Sequence, residues 1–247
     1  ATSISGSPYH VALSALDGGS VGQRDNQMQA GAIVAPPVIV TNSSTQANNV
    51  VPGTSVTDSV LVSDADGQDF AAGTVAFFLC QPNQVTAGGC VTGGTQIGAA
   101  KTLTNAGTAT SDPTTNTNAI GKYCWRAEYT PASNEKRFLA GTHTNSTTEC
   151  FTTVKFSPTI STTQSAGGPI GTVLNDTATL SGGNNPTGSV TFKLFPPSDV
   201  TCEGTPAYTF VDPTAPYATT PGYTSDAVGV WHWTADYEGD AANNSAS

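Results

Sequence analysis

The sequence predicts an all-β protein: two tandem antiparallel β-sandwiches preceded by an additional N-terminal β segment. Three observations predict it. The stretch Gly121-Lys122-Tyr123-Cys124-Trp125-Arg126-Ala127-Glu128-Tyr129 recurs as Gly229-Val230-Trp231-His232-Trp233-Thr234-Ala235-Asp236-Tyr237, so the chain contains a repeat. In both copies the aromatic and alanine residues fall at the two-residue period of a strand, which places Tyr123, Trp125, Ala127 and Tyr129 on one face and Trp231, Trp233, Ala235 and Tyr237 on another. The remainder is short β-branched runs set between Gly, Pro, Asn and Asp clusters, with no convincing amphipathic helix. Composition fits this reading. Charged residues are 11% of the 247, while 26 Gly and 16 Pro supply turns and Thr, Ser and Asn fill exposed strand positions.

Residues 1–37 stand apart from the repeat. Tyr9 to Leu16 is a strand candidate, Asp17-Gly18-Gly19-Ser20 a turn and Gln27 to Val34 a second strand, with Arg24, Asp25 and Asn26 in a solvated loop between them. Pro36-Pro37 then interrupts the chain. Residues 38–155 form the first sandwich. Its strand candidates are Val38–Thr41, Val56–Val62, Thr74–Cys80, Thr95–Leu103, Gly107–Ser111, Lys122–Tyr129 and Thr148–Lys155. Residues 156–247 form the second, opening with a short Ser-, Thr- and Gly-rich linker to Pro169. Asp176 to Ser181 matches Asp58 to Ser63, and Gly188 to Leu194 matches Gly73 to Leu79. The repeated aromatic faces make Trp125, Tyr129, Trp233 and Tyr237 core residues. Trp231, standing where the first copy has Tyr123, is expected inside as well.

Asp-Thr-Ala-Thr-Leu-Ser followed by Pro-Thr-Gly-Ser-Val-Thr-Phe, and the later Trp-Thr-Ala-Asp-Tyr-Glu-Gly-Asp-Ala-Ala-Asn-Asn, resemble the bacterial immunoglobulin-like repeats of large secreted and cell-surface proteins. The Gly121–Tyr129 stretch and Thr142-His143-Thr144-Asn145-Ser146-Thr147-Thr148-Glu149-Cys150-Phe151 are similar to a cysteine-bearing variety of them. The resemblance spans about residues 38–247. It implies tandem immunoglobulin-like sandwiches in a stalk-like or adhesive setting, with no catalytic residues to carry over.

Five cysteines without a Cys-x-x-Cys spacing favour an oxidising, extracellular or cell-surface location over a metal site. Between the copies, Cys80 falls on Phe195 and Cys124 on His232, so both are absent together, whereas Cys90 falls on Cys202. Loss in pairs suggests bonding in pairs, Cys80 to Cys124 and Cys90 to Cys150, each stabilising by roughly 3 to 5 kcal/mol on the chain-entropy model. The rival pairing, Cys80 to Cys90 with Cys124 to Cys150, stays open. Cys202 is then unpaired within the chain, because the counterpart of Cys150 would lie in a last strand beginning just after Ser247. That expectation has two forms: a longer parent protein, or a strand donated by another chain into the open edge, head to tail along a filament.

The formal charge of −10, with only eight Lys and Arg, disfavours nucleic acid and anionic membranes as partners. No apolar run approaches the ~18 residues that cross a bilayer, and Ala1-Thr2-Ser3-Ile4 does not read as a signal segment. Asp64-Ala65-Asp66-Gly67-Gln68-Asp69 has the alternating carboxylates and turn glycine of part of a calcium loop. The distant bidentate Glu is missing, and the second copy reads Gly182-Gly183-Asn184-Asn185. An acidic turn is the expectation, with calcium the only cofactor its chemistry would suit. His10, His143 and His232 lie on different elements, and neither a nucleophile elbow nor a phosphate-binding loop is present. The sequence therefore points to a non-enzymatic extracellular structural protein of a bacterial stalk, fibre or filament. Its partners would be copies of itself or neighbouring repeats. The alternative is an adhesin module that binds carbohydrate or a host protein through its loops.

Overall fold

The computed structural model describes residues 9–16, 19–28, 34–46 and 48–247, the first two segments as backbone only. The described residues contain no helix, and so none long and apolar enough to cross a membrane. Strands β1 (Tyr9–Leu16) and β2 (Gly19–Met28) form an antiparallel ladder, from Tyr9 opposite Met28 to Leu16 opposite Gly19. This ladder pairs with no other strand among the described residues. The second strand thus begins at Gly19 rather than Gln27, and Arg24, Asp25 and Asn26, expected in a loop, lie within the ladder. Residues 29–33 of the expected strand lie outside the described residues.

The chain divides into two compact units between Val154 and Lys155, the first of which also takes in the β1–β2 ladder. The first contains β3 (Val38–Ser43), β4 (Asn49–Val50), β5 (Asp58–Ser63), β6 (Gly73–Cys80), β7 (Thr95–Gln96), β8 (Lys101–Thr102), β9 (Thr108–Thr110), β10 (Gly121–Pro131), β11 (Gly141–Thr144) and β12 (Cys150–Thr153). One sheet runs β3-β5-β9. The other runs β4-β12-β10-β6-β7, with β11 also on β10 and β8 also on β6. All pairings are antiparallel except β4 with β12, which is parallel. This is the strand order of an immunoglobulin-like sandwich. The expected strand over 95–103 is split because Gly98, at φ 69°, takes the chain out of extended conformation.

The core lies between these sheets. Val60 and Val62 from β5, Val75, Phe77 and Leu79 from β6, and Tyr123, Trp125, Ala127 and Tyr129 from β10 are buried within it. Burying side chains of this size stabilises by roughly 1.5 to 3 kcal/mol each. The outer face of β10 is closed as well. Arg126 lays its guanidinium 4.4 Å from the Phe78 ring and donates to the Gly93 carbonyl at 2.7 Å.

The second unit contains β13 (Thr159–Gln164), β14 (Val173–Leu174), β15 (Asp176–Ser181), β16 (Val190–Phe195), β17 (Tyr208–Asp212), β18 (Tyr217–Ala218), β19 (Tyr223–Thr224) and β20 (His232–Tyr237). Its sheets are β13-β15-β18 and β17-β16-β20, with β14 paired to β19. The plan repeats to the residue. Phe195 stands opposite His232 as Cys80 stands opposite Cys124. Gly121, which opens β10, and Gly229, just before β20, share φ values of 136° and 137°, and a Cβ at either would press on a proline, Pro82 or Pro197. Three strands, β4, β11 and β12, have no counterpart among the described residues: where β11 and β12 lie along β10, the matching edge of β20 carries only the Tyr237–Ala246 bridge.

Candidate functional site

The repeated strand is the reference for the site. In the first unit β12 lies along β10, with Tyr123 opposite Phe151 and Gly121 opposite Thr153. The Tyr123 and Phe151 rings stack at 5.4 Å and both are buried. In the second unit the outer edge of β20 makes one bridge, Tyr237 with Ala246, and residues 232–236 have no strand on that side among the described residues. A cleft of about 410 Å³ occupies the position, walled by Pro169, Ile170 and Leu174 on one side and Val230, Trp231 and Trp233 on the other. Its rim is apolar and open, with Ile170 58%, Val230 71% and Val228 84% exposed.

Trp231 and Trp233 are consequently half-buried rather than enclosed. Trp125, Tyr129 and Tyr237 are buried, whereas Trp233 packs against the second core from its margin. The expectation that Trp231 lies inside is corrected, because alternation fixes the face of a side chain while the neighbouring strand supplies its cover. Trp231 packs on Tyr223 at 5.2 Å. Tyr208 meets Phe210, Tyr223 and Trp233 at 6.0 to 6.3 Å, so five aromatic rings form one half-exposed cluster.

The disulfides are Cys80–Cys90 and Cys124–Cys150, which corrects the pairing inferred from joint loss. Cys124 lies opposite both Cys80 and Cys150. A residue in an antiparallel sheet turns its N–H and C=O to one neighbour only. Trp125 N–H donates to Glu149 O at 2.7 Å, so Cys124 faces β12 as a non-hydrogen-bonded pair, the closer kind, at a Cα separation of 4.1 Å. Cys80 is left to Cys90, which the 81–94 loop brings to 5.5 Å. The counterpart of Cys202 is therefore bonded to Cys80, whose own counterpart is Phe195. Cys202 lacks a partner by substitution within the unit, not for want of a last strand. It forms no disulfide among the described residues and, with His232, lines a shallower extension of the cleft. Burial and the nearby Asp199 push its thiol pKa upward, so it is not a preformed thiolate.

The acidic turn is internally satisfied. Asp64 Oδ1 accepts from the backbone N–H of Gln68 and Asp69 at 2.9 and 3.1 Å, and Asp66 Oδ1 accepts from Gln68 at 3.3 Å. Asp69 turns away to Arg137 at 3.2 Å. Asp64 and Asp66 meet at the Gln68 N–H while Asp69 turns away, and no group of three His, Cys, Asp or Glu among the described residues is arranged to hold a metal ion. His143 accepts or donates one hydrogen bond with Thr41 Oγ1 at 2.7 Å.

Sequence reasoning missed a buried pair of carboxyl groups. Asp58 opens β5 and Glu149 precedes β12, both 1% exposed, and both Asp58 oxygens and Glu149 Oε2 lack hydrogen-bond partners. Burial above all, then the charge of Glu149, raises the Asp58 pKa to about 8. Asp176, its counterpart, is buried alone, and burial raises its pKa too. Their backbone N–H groups are capped alike, by Ser111 Oγ and Thr219 Oγ1 at 3.0 and 2.9 Å. The shared Asp at both positions was the available signal.

No family model and no curated relative matches the chain. Among solved structures it is similar to a tetra-tandem repeat in the extending region of a large adhesion protein, at 11% identity and a TM-score of 0.39 over 91% of this chain and 50% of that one. It is also similar to native E. coli alpha-2-macroglobulin, at 10% identity and a TM-score of 0.34 over 96% of this chain and 17% of that one. The chain thus spans about half of the first and under a fifth of the second. At that level of similarity neither likeness bears on function.

Proposed function

We propose that the chain is a non-enzymatic, extracellular structural protein of a bacterial surface stalk, fibre or filament, in which the second sandwich accepts a β-strand from a neighbouring copy or repeat. The observation that carries the reading is the edge of β20 that bears no strand among the described residues, backed by Trp231 and Trp233, at the position β12 occupies in the first unit. Unpaired strand edges beside apolar surface are where proteins add strands. The paired cysteines support an oxidising location. The second unit's eight carboxylates against Lys155 and Lys193 make nucleic acid a poor partner. No cofactor is assigned to this role.

The test is titration with a peptide copying residues 147–156, with Ser in place of Cys150. Binding shifts the emission of Trp231 and Trp233 to the blue and protects the 225–233 segment from protease. An unchanged spectrum at saturating peptide overturns the reading, and substrate turnover by the isolated chain overturns its non-enzymatic part.

The half-exposed aromatic cluster favours a second reading, an adhesin module that stacks sugar rings or host-protein side chains on Tyr208, Tyr223 and Trp231. Oligosaccharide binding that disappears in Trp231→Ala supports it.

A further inference from the structure

We propose that Asp58 and Glu149 form a latch closed by one shared proton, which holds the turn between β11 and β12 against the opposite sheet and releases it under alkaline conditions. The latch belongs to the first unit and stands apart from the strand-accepting reading.

The pair joins the two sheets through the sandwich interior. Asp58 shares the inward face of β5 with Val60 and Val62, and Glu149 stands two residues before Phe151, on the face that β12 turns to the core. The two carboxyl groups meet each other, while Asp58 Oδ1, Asp58 Oδ2 and Glu149 Oε2 find no N–H or O–H donor. Nor does a cation reach them among the described residues. On β10, Arg126 turns outward to the Phe78 ring, the Gly93 carbonyl and Glu128, and Lys122 donates to the Ser146 carbonyl. On β11, His143 is bonded to Thr41 Oγ1, and beyond β9 Lys101 and Asp112 pair with each other. Two facing carboxylates with neither donor nor cation between them cannot both be charged inside a core, so the contact retains one proton. Burial first, and the Glu149 charge second, raise the Asp58 pKa to about 8 accordingly.

The two halves of the latch are held differently. Asp58 is fixed in a ladder: it stands opposite Ser43, its N–H is capped by Ser111 Oγ at 3.0 Å, and its carbonyl accepts the Ser111 N–H at 2.8 Å. Glu149 lies outside any strand, at the end of the turn formed by residues 145–149. That turn is tied to β10 by Trp125 N–H donating to Glu149 O at 2.7 Å and by Lys122 Nζ donating to Ser146 O at 2.8 Å. A second negative charge in the core is relieved by the half that can move, so loss of the proton swings Glu149 and its turn outward. Cys124–Cys150 keeps β12 itself in place. The second unit supplies the contrast. Asp176 meets Thr162 and Thr177 and no second carboxyl, so it has nothing to latch.

Hydrogen exchange on the full chain tests the latch at the Trp125 amide, which donates to the turn. Exchange is read at about pH 6 and about pH 9 and corrected for its intrinsic pH dependence. Protection of Trp125 falls about tenfold or more over that interval, while amides of the β6–β10 ladder keep theirs. Glu149→Gln and Asp58→Asn each offer an amide donor to the remaining carboxylate, and in both the protection of Trp125 no longer changes with pH; circular dichroism and melting verify folding. Constant protection in the wild type overturns the proposal. A loss shared equally by the ladder amides does so too, because the whole unit is then destabilised, as does a loss that persists in either variant that folds.

Discussion

The two sandwiches share strand order, register, the β-strand glycines and the buried Asp, and differ in what lies on the repeated strand. In the first unit Tyr123 is covered by Phe151 and tied to β12 through Cys124–Cys150. In the second, Trp231 is backed by Tyr223 and open to solvent, and His232 stands in the place of Cys124. The lesson is that one pattern of side chains gives either a closed core or a receptive edge. The difference lies in what covers the repeated strand among the described residues: β11 and β12 along β10, and only the Tyr237–Ala246 bridge along β20.

The comparison breaks most readily at its covering residue. Phe151→Ala should destabilise the first unit by roughly 3 to 5 kcal/mol, the cost of a buried aromatic deletion, read as a lowered first-unit transition by calorimetry. Trp231→Ala should cost the second unit well under half of that, because its ring is half solvated in the folded state. Equal costs would mean that the cleft is closed in solution. The disulfides come next. Cys150→Ser removes a 26-residue closure worth about 3.5 kcal/mol on the chain-entropy model, while the 10-residue Cys80–Cys90 closure is worth about 2.7 kcal/mol. Non-reducing peptide mapping should show Cys80 linked to Cys90, and a Cys80–Cys124 peptide would restore the other pairing.

The last comparison concerns pH. The folded-state pKa of Asp58, about 8, lies above its ordinary value of 3.8, so between those values the unfolded chain binds fewer protons than the folded one. Stability of the first unit therefore falls as pH rises through that window and levels off above it. Asp58→Asn should flatten the profile and raise the first-unit melting temperature by a few degrees at pH 8. A profile unchanged by the substitution would assign the pH dependence elsewhere.

Much of the fold was legible because its signals are local. The alternation around Trp125 and Trp233 fixed a strand and its buried face, and the repeat aligned Cys80 with Phe195 and Cys124 with His232, positions that face each other in the ladders. What was not legible depends on the third neighbour. Cys124 has a cysteine on either side, and the choice between them turns on which way its backbone hydrogen bonds point. Asp58 reads as one polar residue in the Val56–Val62 strand, and only the arrival of Glu149 from a distant segment makes it half of a buried pair. The exposure of Trp231 likewise reflects the absence of a neighbour, which no residue in the strand itself records.

The cross-strand link at Cys124 also governs how the chain bears tension. A pull applied through the backbone bypasses the residues enclosed by Cys124–Cys150, withholding about 90 Å of contour length at ~3.4 Å per residue, and Cys80–Cys90 withholds about 35 Å more. The second sandwich, with a single unpaired cysteine, has no such reserve locked away.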